Sequence, residues 1–137
     1  MRRLYSILTI VFLALIFSCE DQAFLITCSE CTADEPYSAE LYADLDKKYY
    51  YNAEIQVWEG NPEDSILVGT FTASRNVFTL DVTLNKRYTI TAKYILPDRQ
   101  IIAVDTANPR VKYDKSQCDD PCYYVYDRKC NLRLKYD

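Results

Sequence analysis

The residues best equipped for chemistry are six cysteines. Cys19 stands alone, Cys28-x-x-Cys31 follows closely, and Cys118-x-x-x-Cys122 and then Cys130 lie near the C-terminus. Thiols spaced in this way serve as disulfide partners, zinc ligands or redox centres, and the remaining composition narrows what they can work with. The chain contains no histidine, which excludes Ser-His-Asp and Cys-His catalysis, histidine-containing zinc sites and an imidazole proton shuttle. Its two glycines, Gly60 and Gly69, are too few and too far apart for a phosphate-cradling loop or a dinucleotide fingerprint. Carboxylates are plentiful, including Asp44, Asp46, Glu59, Glu63, Asp64, Asp105, Asp119 and Asp120. Most of them fall in turn segments, where solvation is their ordinary role, and nothing in the spacing sets two across a cleft as a glycosidase requires. Asp119-Asp120 lacks the Asp-x-Asp-x-Asp-Gly context of a calcium loop. The expectation is no catalytic residue, no bound metal and no cofactor.

The compartment decides how the thiols are read. Arg2 and Arg3 precede an apolar run from Leu4 to Phe17, interrupted only by Ser6 and Thr9, which is short for a membrane span of roughly 20 residues and reads as a cleaved export signal over residues 1–18. The junction Ile16-Phe17-Ser18-Cys19 resembles the lipobox of bacterial lipoproteins. That resemblance implies that Cys19 becomes the lipidated first residue, with acyl chains such as palmitate contributing about 0.8 kcal/mol per buried methylene. Glu20, Asp21 and Gln22 directly behind it look like the surface-export signals of Bacteroidota lipoproteins. The expected address is therefore the outer membrane, lipid-anchored, on its cell-surface or periplasmic face. Loss of both leader arginines makes a net charge of −4 more negative still, which argues against a nucleic-acid partner.

In an exported chain paired cysteines form disulfides by default. A bridge from Cys28 or Cys31 to Cys118, Cys122 or Cys130 would tie the segment before the domain to its C-terminal strand, and closing a loop of that size contributes roughly 4 kcal/mol. Five cysteines leave one thiol over. The alternatives are a structural zinc held by four thiolates from the C-x-x-C and C-x-x-x-C pairs, and a redox role, for which Cys28-Ser-Glu-Cys31 lacks the following helix that lowers a thiol pKa.

Aromatic residues are the other candidates, since 13 tyrosines cluster at Tyr49-Tyr50-Tyr51 and Tyr123-Tyr124-Val125-Tyr126. Adjacent strand residues point to opposite faces, so Tyr50 and one of Tyr123 and Tyr124 are expected outward, with Trp58 on the face of Tyr50. Tyr50, Trp58, Tyr123, Tyr124 and Tyr126 are thus candidates for a platform that stacks on sugar rings or anchors a protein interface. Against this stands the plain fit of tyrosine to half-buried strand positions. Tyr88, just after Asn85-Lys86-Arg87, reads as a structural corner tyrosine.

The elements that position these residues alternate with a period of two from Ser38 onward. Ala39, Leu41, Ala43 and Leu45 share one face, and Tyr49, Tyr51, Ala53, Ile55 and Val57 the next core face. Ile66 to Thr72 follows a Gly60-to-Asp64 turn. Phe78, Leu80, Val82 and Leu84 and then Tyr88, Ile90, Ala92 and Tyr94 alternate around Asn85-Lys86, which predicts a hairpin. Gln100 to Asp105, Arg110 to Tyr113 and Asn131 to Tyr136 complete the set. Seven or eight short strands predict an all-β, antiparallel two-sheet sandwich, Ig-like or transthyretin-like, with a small closed barrel as the alternative. The organisation is a signal peptide (1–18), an acidic lipidated tether bearing Cys28 and Cys31 (19–37) and a sandwich domain (38–137).

The segment Phe78-Thr-Leu-Asp-Val-Thr-Leu-Asn-Lys-Arg-Tyr88-Thr-Ile-Thr-Ala92 resembles the strand, turn and strand at the centre of carboxypeptidase-regulatory-like and transthyretin-like sandwiches. It is similar also to small Bacteroidota lipoproteins that carry such a domain alone. The likeness spans residues 38–113, with Arg87 where those families usually place a glycine. It implies a non-catalytic module that supports folding, docking or assembly, and the expected function is docking on another envelope protein through a sheet edge or tyrosine-rich face. The alternative is a surface lipoprotein that binds glycan through exposed Trp58 and tyrosines.

Overall fold

The computed structural model describes residues 27–63, 66–115, 118, 120 and 122–135. The signal segment, Cys19, Asp64, Asp119 and Tyr136 lie outside them. The described chain is all-β: β1 (Ser38–Leu45), β2 (Ala53–Glu59), β3 (Ile66–Thr72), β4 (Val77–Thr83), β5 (Tyr88–Ile95), β6 (Gln100–Ala107), β7 (Arg110–Asp114), β8 (Cys122–Tyr126) and β9 (Lys129–Leu132). Sheets ordered β4-β1-β9 and β3-β2-β5-β6 form the sandwich, and β7 and β8 make a separate ribbon. The sheets do not close into a barrel.

Period-two alternation explains why these sheets stack. Leu41, Ala43 and Leu45 from β1, Ile55 and Val57 from β2, Ile90, Ala92 and Tyr94 from β5 and Leu132 from β9 are all but completely buried in one core. Full burial of each large apolar side chain contributes about 1.5–3 kcal/mol. The two long sides of the sandwich close differently. On one, Phe71 of β3 meets Phe78 of β4 with ring centroids 5.2 Å apart; on the other, the Asp105 carboxylate of β6 accepts a 2.7 Å bond from the Asn131 backbone N–H of β9.

Four expectations are corrected. Residues 78–84 and 88–94 are not a hairpin, because β4 pairs with β1 while β5 pairs with β2 and β6, so the turn between them crosses from one sheet to the other. The connection is also four residues long, from Leu84 to Arg87, with Asn85 alone among them at positive φ (62°). The turn's backbone groups are also drawn elsewhere, Leu84 N–H to the Tyr37 carbonyl and Asn85 N–H to that of Pro109. Tyr88 does serve as the corner, donating from its hydroxyl to the Thr83 carbonyl at 3.1 Å.

Second, the strand expected from Tyr49 begins only at Ala53. A 3-10 turn at Tyr50–Asn52 precedes it, anchored by Asp46 Oδ1 accepting from the N–H groups of Lys48 and Tyr49, and Tyr51 is consequently exposed rather than inward. Third, the sandwich is not wholly antiparallel. Asp127, at φ 53°, kinks the chain after β8, and β9 then runs parallel to β1 with Tyr42 to Leu45 opposite Lys129 to Leu132. Fourth, that last strand ends at Leu132 rather than reaching Tyr136, while Leu134 still packs on the core.

Tyr94 holds the junction of these strands. Its hydroxyl, at the base of the core, donates to the Leu132 carbonyl at 2.7 Å and accepts from the Asp46 N–H at 3.0 Å. Removing one partner of a buried pair costs about 1–3 kcal/mol because the remaining groups are left desolvated. Tyr94→Phe is therefore expected to lower stability by about that amount, read as a reduced urea midpoint with an unchanged m-value.

Candidate functional site

The cysteines and the C-terminal tyrosines meet at one end of the fold. Residues Cys28–Glu30 form a single 3-10 turn in which Cys31 N–H donates to the Cys28 carbonyl and Glu30 N–H to that of Thr27. Such a turn sets two cysteines three residues apart side by side. Facing them are Cys118, in the connection from β7 to β8, and Cys122, the first residue of β8. Two disulfides result, Cys28–Cys118 and Cys31–Cys122, and Cys130 remains a free thiol buried in the core. The tether segment is thus fastened to the domain from Cys28 onward, by bridges of the kind expected from Cys28 and Cys31. Thr32 adds a bridge, exchanging backbone hydrogen bonds of 3.0 and 2.9 Å with Tyr123.

Beside this clasp lies a groove of about 690 Å³ lined by Glu30, Pro36, Ser38, Glu40 and residues 123–129. Strand geometry defines its walls. Within a strand, backbone groups two residues apart point to the same edge. Tyr123 turns its N–H and C=O toward Thr32, so those of Val125 turn toward the groove. Antiparallel continuation of the Thr32–Tyr123 bridge would place Glu30 against Val125, but Glu30 is wound into the 3-10 turn. The opposite wall is β1. Tyr42 N–H donates to the Arg128 carbonyl at 2.9 Å, and β9 pairs with β1 only from Tyr42 onward, which leaves the same edge of β1 at Ser38 and Glu40 open. Charges of both signs rim the groove. Tyr42 donates to Glu40 at 2.8 Å and lies under the Arg128 guanidinium at 5.2 Å. The Glu40 hydrogen bond, rather than burial, is the first cause that raises the Tyr42 hydroxyl pKa.

The aromatic candidates do not form one platform. Tyr124 is buried and Tyr123 half-buried, as opposite faces of a strand require. The Tyr123 ring is occupied by Tyr113 at 4.7 Å, and Tyr126 lies 6.3 Å from Tyr124. Tyr50 is half-buried and packs on the core from its 3-10 turn rather than pointing outward. Trp58 lies far along the chain's other sheet, paired with Leu67 and Thr89 on the outer side of the four-stranded sheet, with its indole N–H buried and unpartnered.

Sequence reasoning missed exposed apolar residues on both edge strands of the four-stranded sheet. Ile66, Leu67 and Val68 on edge strand β3, with Ile102 and Val104 on β6, are exposed by 44–72%, whereas the outer face of the three-stranded sheet carries Glu40, Asp44, Thr79, Asp81 and Lys129. The uncharged run Ile66 to Thr72 was the available signal, because edge strands normally carry charge or proline against unwanted pairing. No protein-family model, curated protein or solved structure matches this chain.

The two bridges close nearly the same loop, with sequence separations of 90 and 91. The first closed costs the unfolded chain about 4.6 kcal/mol of entropy and the second, completing only a small ring, about 2.5. Cys28→Ser and Cys31→Ser are each expected to lose about 2.5 kcal/mol, and a chain lacking both bridges about 7, which exceeds the sum of the singles by about 2. A double-mutant cycle on denaturant midpoints measures this; simple additivity would show that the bridges do not share a loop.

Cys130 gives a pH dependence. Burial first, then the carboxylates of Asp105 and Asp127, push its thiol pKa from 9.0 up to about 12. The folded state holds this proton more tightly than the unfolded one, so the stability it contributes is intact below pH 9.0 and falls as pH rises toward about 12. Melting temperature should therefore decline above pH 9.0, with a shallower decline in Cys130→Ala.

Proposed function

We propose that this chain is a non-catalytic, lipid-anchored outer-membrane module that docks an extended segment of another envelope protein between β1 and β8. One observation carries the reading: two strand edges with unused backbone groups, at Ser38 and Glu40 and at Val125, border the same groove. Strand addition uses main-chain hydrogen bonds for affinity and flanking pockets for alternate side chains. The groove offers both, with Tyr126 and Pro36 as apolar contacts and Glu30, Glu40, Arg128 and Lys129 as polar ones.

The lipobox resemblance supports the address and limits the partner. Thr27 lies eight residue steps after Cys19, and at about 3.5 Å per extended residue the groove stays within roughly 30 Å of the anchor. The transthyretin-like resemblance is in keeping with the two-sheet sandwich. Sugar stacking is less well supported than strand addition, because the rings of Tyr123 and Tyr126 already face other tyrosines.

Site-specific photocrosslinking in the native envelope tests the reading. A photoreactive residue at position 125 is expected to give a discrete protein adduct, and one at Glu54, exposed on β2 in the four-stranded sheet, none. Val125→Pro deletes the N–H that faces the groove while sparing the β7 ladder, and should reduce adduct yield about tenfold, the effect of one lost hydrogen bond. Val125→Leu should retain it. Equal adducts from positions 54 and 125, or full yield in Val125→Pro, would reject strand addition, and competition by soluble polysaccharide would favour glycan binding.

A further inference from the structure

Three of the four clasp cysteines, Cys31, Cys118 and Cys122, cluster closely enough to share a metal ion as well as forming disulfides. Cys118 Sγ lies 3.9 Å from Cys31 Sγ and 3.9 Å from Cys122 Sγ, and the sulfurs of Cys31, Cys118 and Cys122 all fall within 4.8 Å of one another. Four thiolates bound to zinc at about 2.3 Å occupy the corners of a tetrahedron whose edges are about 3.8 Å. Two edges of that tetrahedron are thus already present across the two disulfides. Two more, Cys28–Cys118 and Cys31–Cys122, open when the S–S bonds are cleaved. Cys28, the fourth corner, is exposed on its one-turn helix and already bonded to Cys118. Spacing agrees, since a C-x-x-C turn facing a C-x-x-x-C strand entry presents two chelating pairs.

From this geometry we infer that the reduced chain binds one Zn²⁺ through Cys28, Cys31, Cys118 and Cys122, so that residues 28–32 stay fastened to β8 in both redox states. The chemistry balances with a dithiol as reductant. Two dithiols deliver four electrons and four protons, both S–S bonds break, and each dithiol closes to its own disulfide. Zn²⁺ then displaces the four thiol protons. In reverse, an oxidant that accepts four electrons re-forms both disulfides and expels the ion. Cys130 takes no part, since it sits in the core opposite Ala43.

Cobalt(II) reports the site directly. The full chain carrying Cys19→Ala, which removes the thiol outside the domain, is reduced with a dithiol, desalted anaerobically and titrated with Co²⁺. The expected result is one Co²⁺ per chain, with sulfur-to-metal charge-transfer absorption and the intense visible bands of a tetrahedral thiolate site, bleached by one equivalent of Zn²⁺. Circular dichroism should report the same β signature for the zinc-bound and disulfide forms. Cys118→Ser should weaken Co²⁺ binding at least tenfold and alter the visible bands, while Cys130→Ser changes neither. Absence of a saturable one-to-one spectrum, its loss in Cys130→Ser, or a reduced chain that loses its fold and does not regain it with metal would each overturn the inference.

Discussion

The fold depends on β9 lying parallel to β1. This pairing joins residues more than 80 positions apart, Tyr42 to Lys129 through Leu45 to Leu132, and it closes the core that β2 and β5 cover from the other side. Non-local pairing of this kind carries a large loop-closure cost before any contact compensates it. Tyr94 offsets part of that cost by binding the ends of both strands through one hydroxyl, reaching the Asp46 N–H just after β1 and the Leu132 carbonyl at the end of β9. A phenylalanine would fill the same volume and lose both bonds.

The same constraint explains where the covalent staples are. A sandwich of about 110 residues buries a smaller share of its surface than a larger domain, and small exported domains compensate with disulfides. Its long sides are already closed, one by Phe71 on Phe78 and one by Asp105 on the β9 backbone. The end where β8 leaves the sandwich has no such closure, and there both disulfides sit. Placing them in parallel across one loop makes the second a geometric clamp more than an entropic one. It fixes the orientation of the Cys28–Glu30 turn, which one bridge would leave free to pivot.

Much of this was legible in the sequence because it follows from period-two alternation. The inward positions Leu41, Ala43 and Leu45, Ile55 and Val57, and Ile90, Ala92 and Tyr94 are those that alternation selects, and Tyr88 and the meeting of the two cysteine groups also follow from residue type and spacing. Alternation is silent about which sheet a strand joins. The segments around Asn85 would read identically as a hairpin or as a crossover, and only the tertiary acceptors Tyr37 and Pro109 decide between them. The parallel sense of β9 depends on one left-handed residue, Asp127, which no periodicity reveals. Tyr49 to Tyr51 alternate as convincingly as a strand, but the Asp46 carboxylate captures two of the following N–H groups and winds them into a turn instead.

The clasp and the groove have a single cause. Residues 28–32 could have continued along β8 as an edge strand, with Glu30 opposite Val125, and the groove would not exist. Placing Cys28 and Cys31 side by side requires a turn, and a turn cannot also offer its backbone to a neighbouring strand. The two disulfides then hold that turn away from Val125, while Pro36, which has no N–H to donate, carries the chain across to β1. The vacant edge is therefore held in place covalently. Under the proposed strand addition, an incoming strand would meet hydrogen-bonding groups already aligned, and the ordering cost that usually weakens such binding would fall on the partner alone.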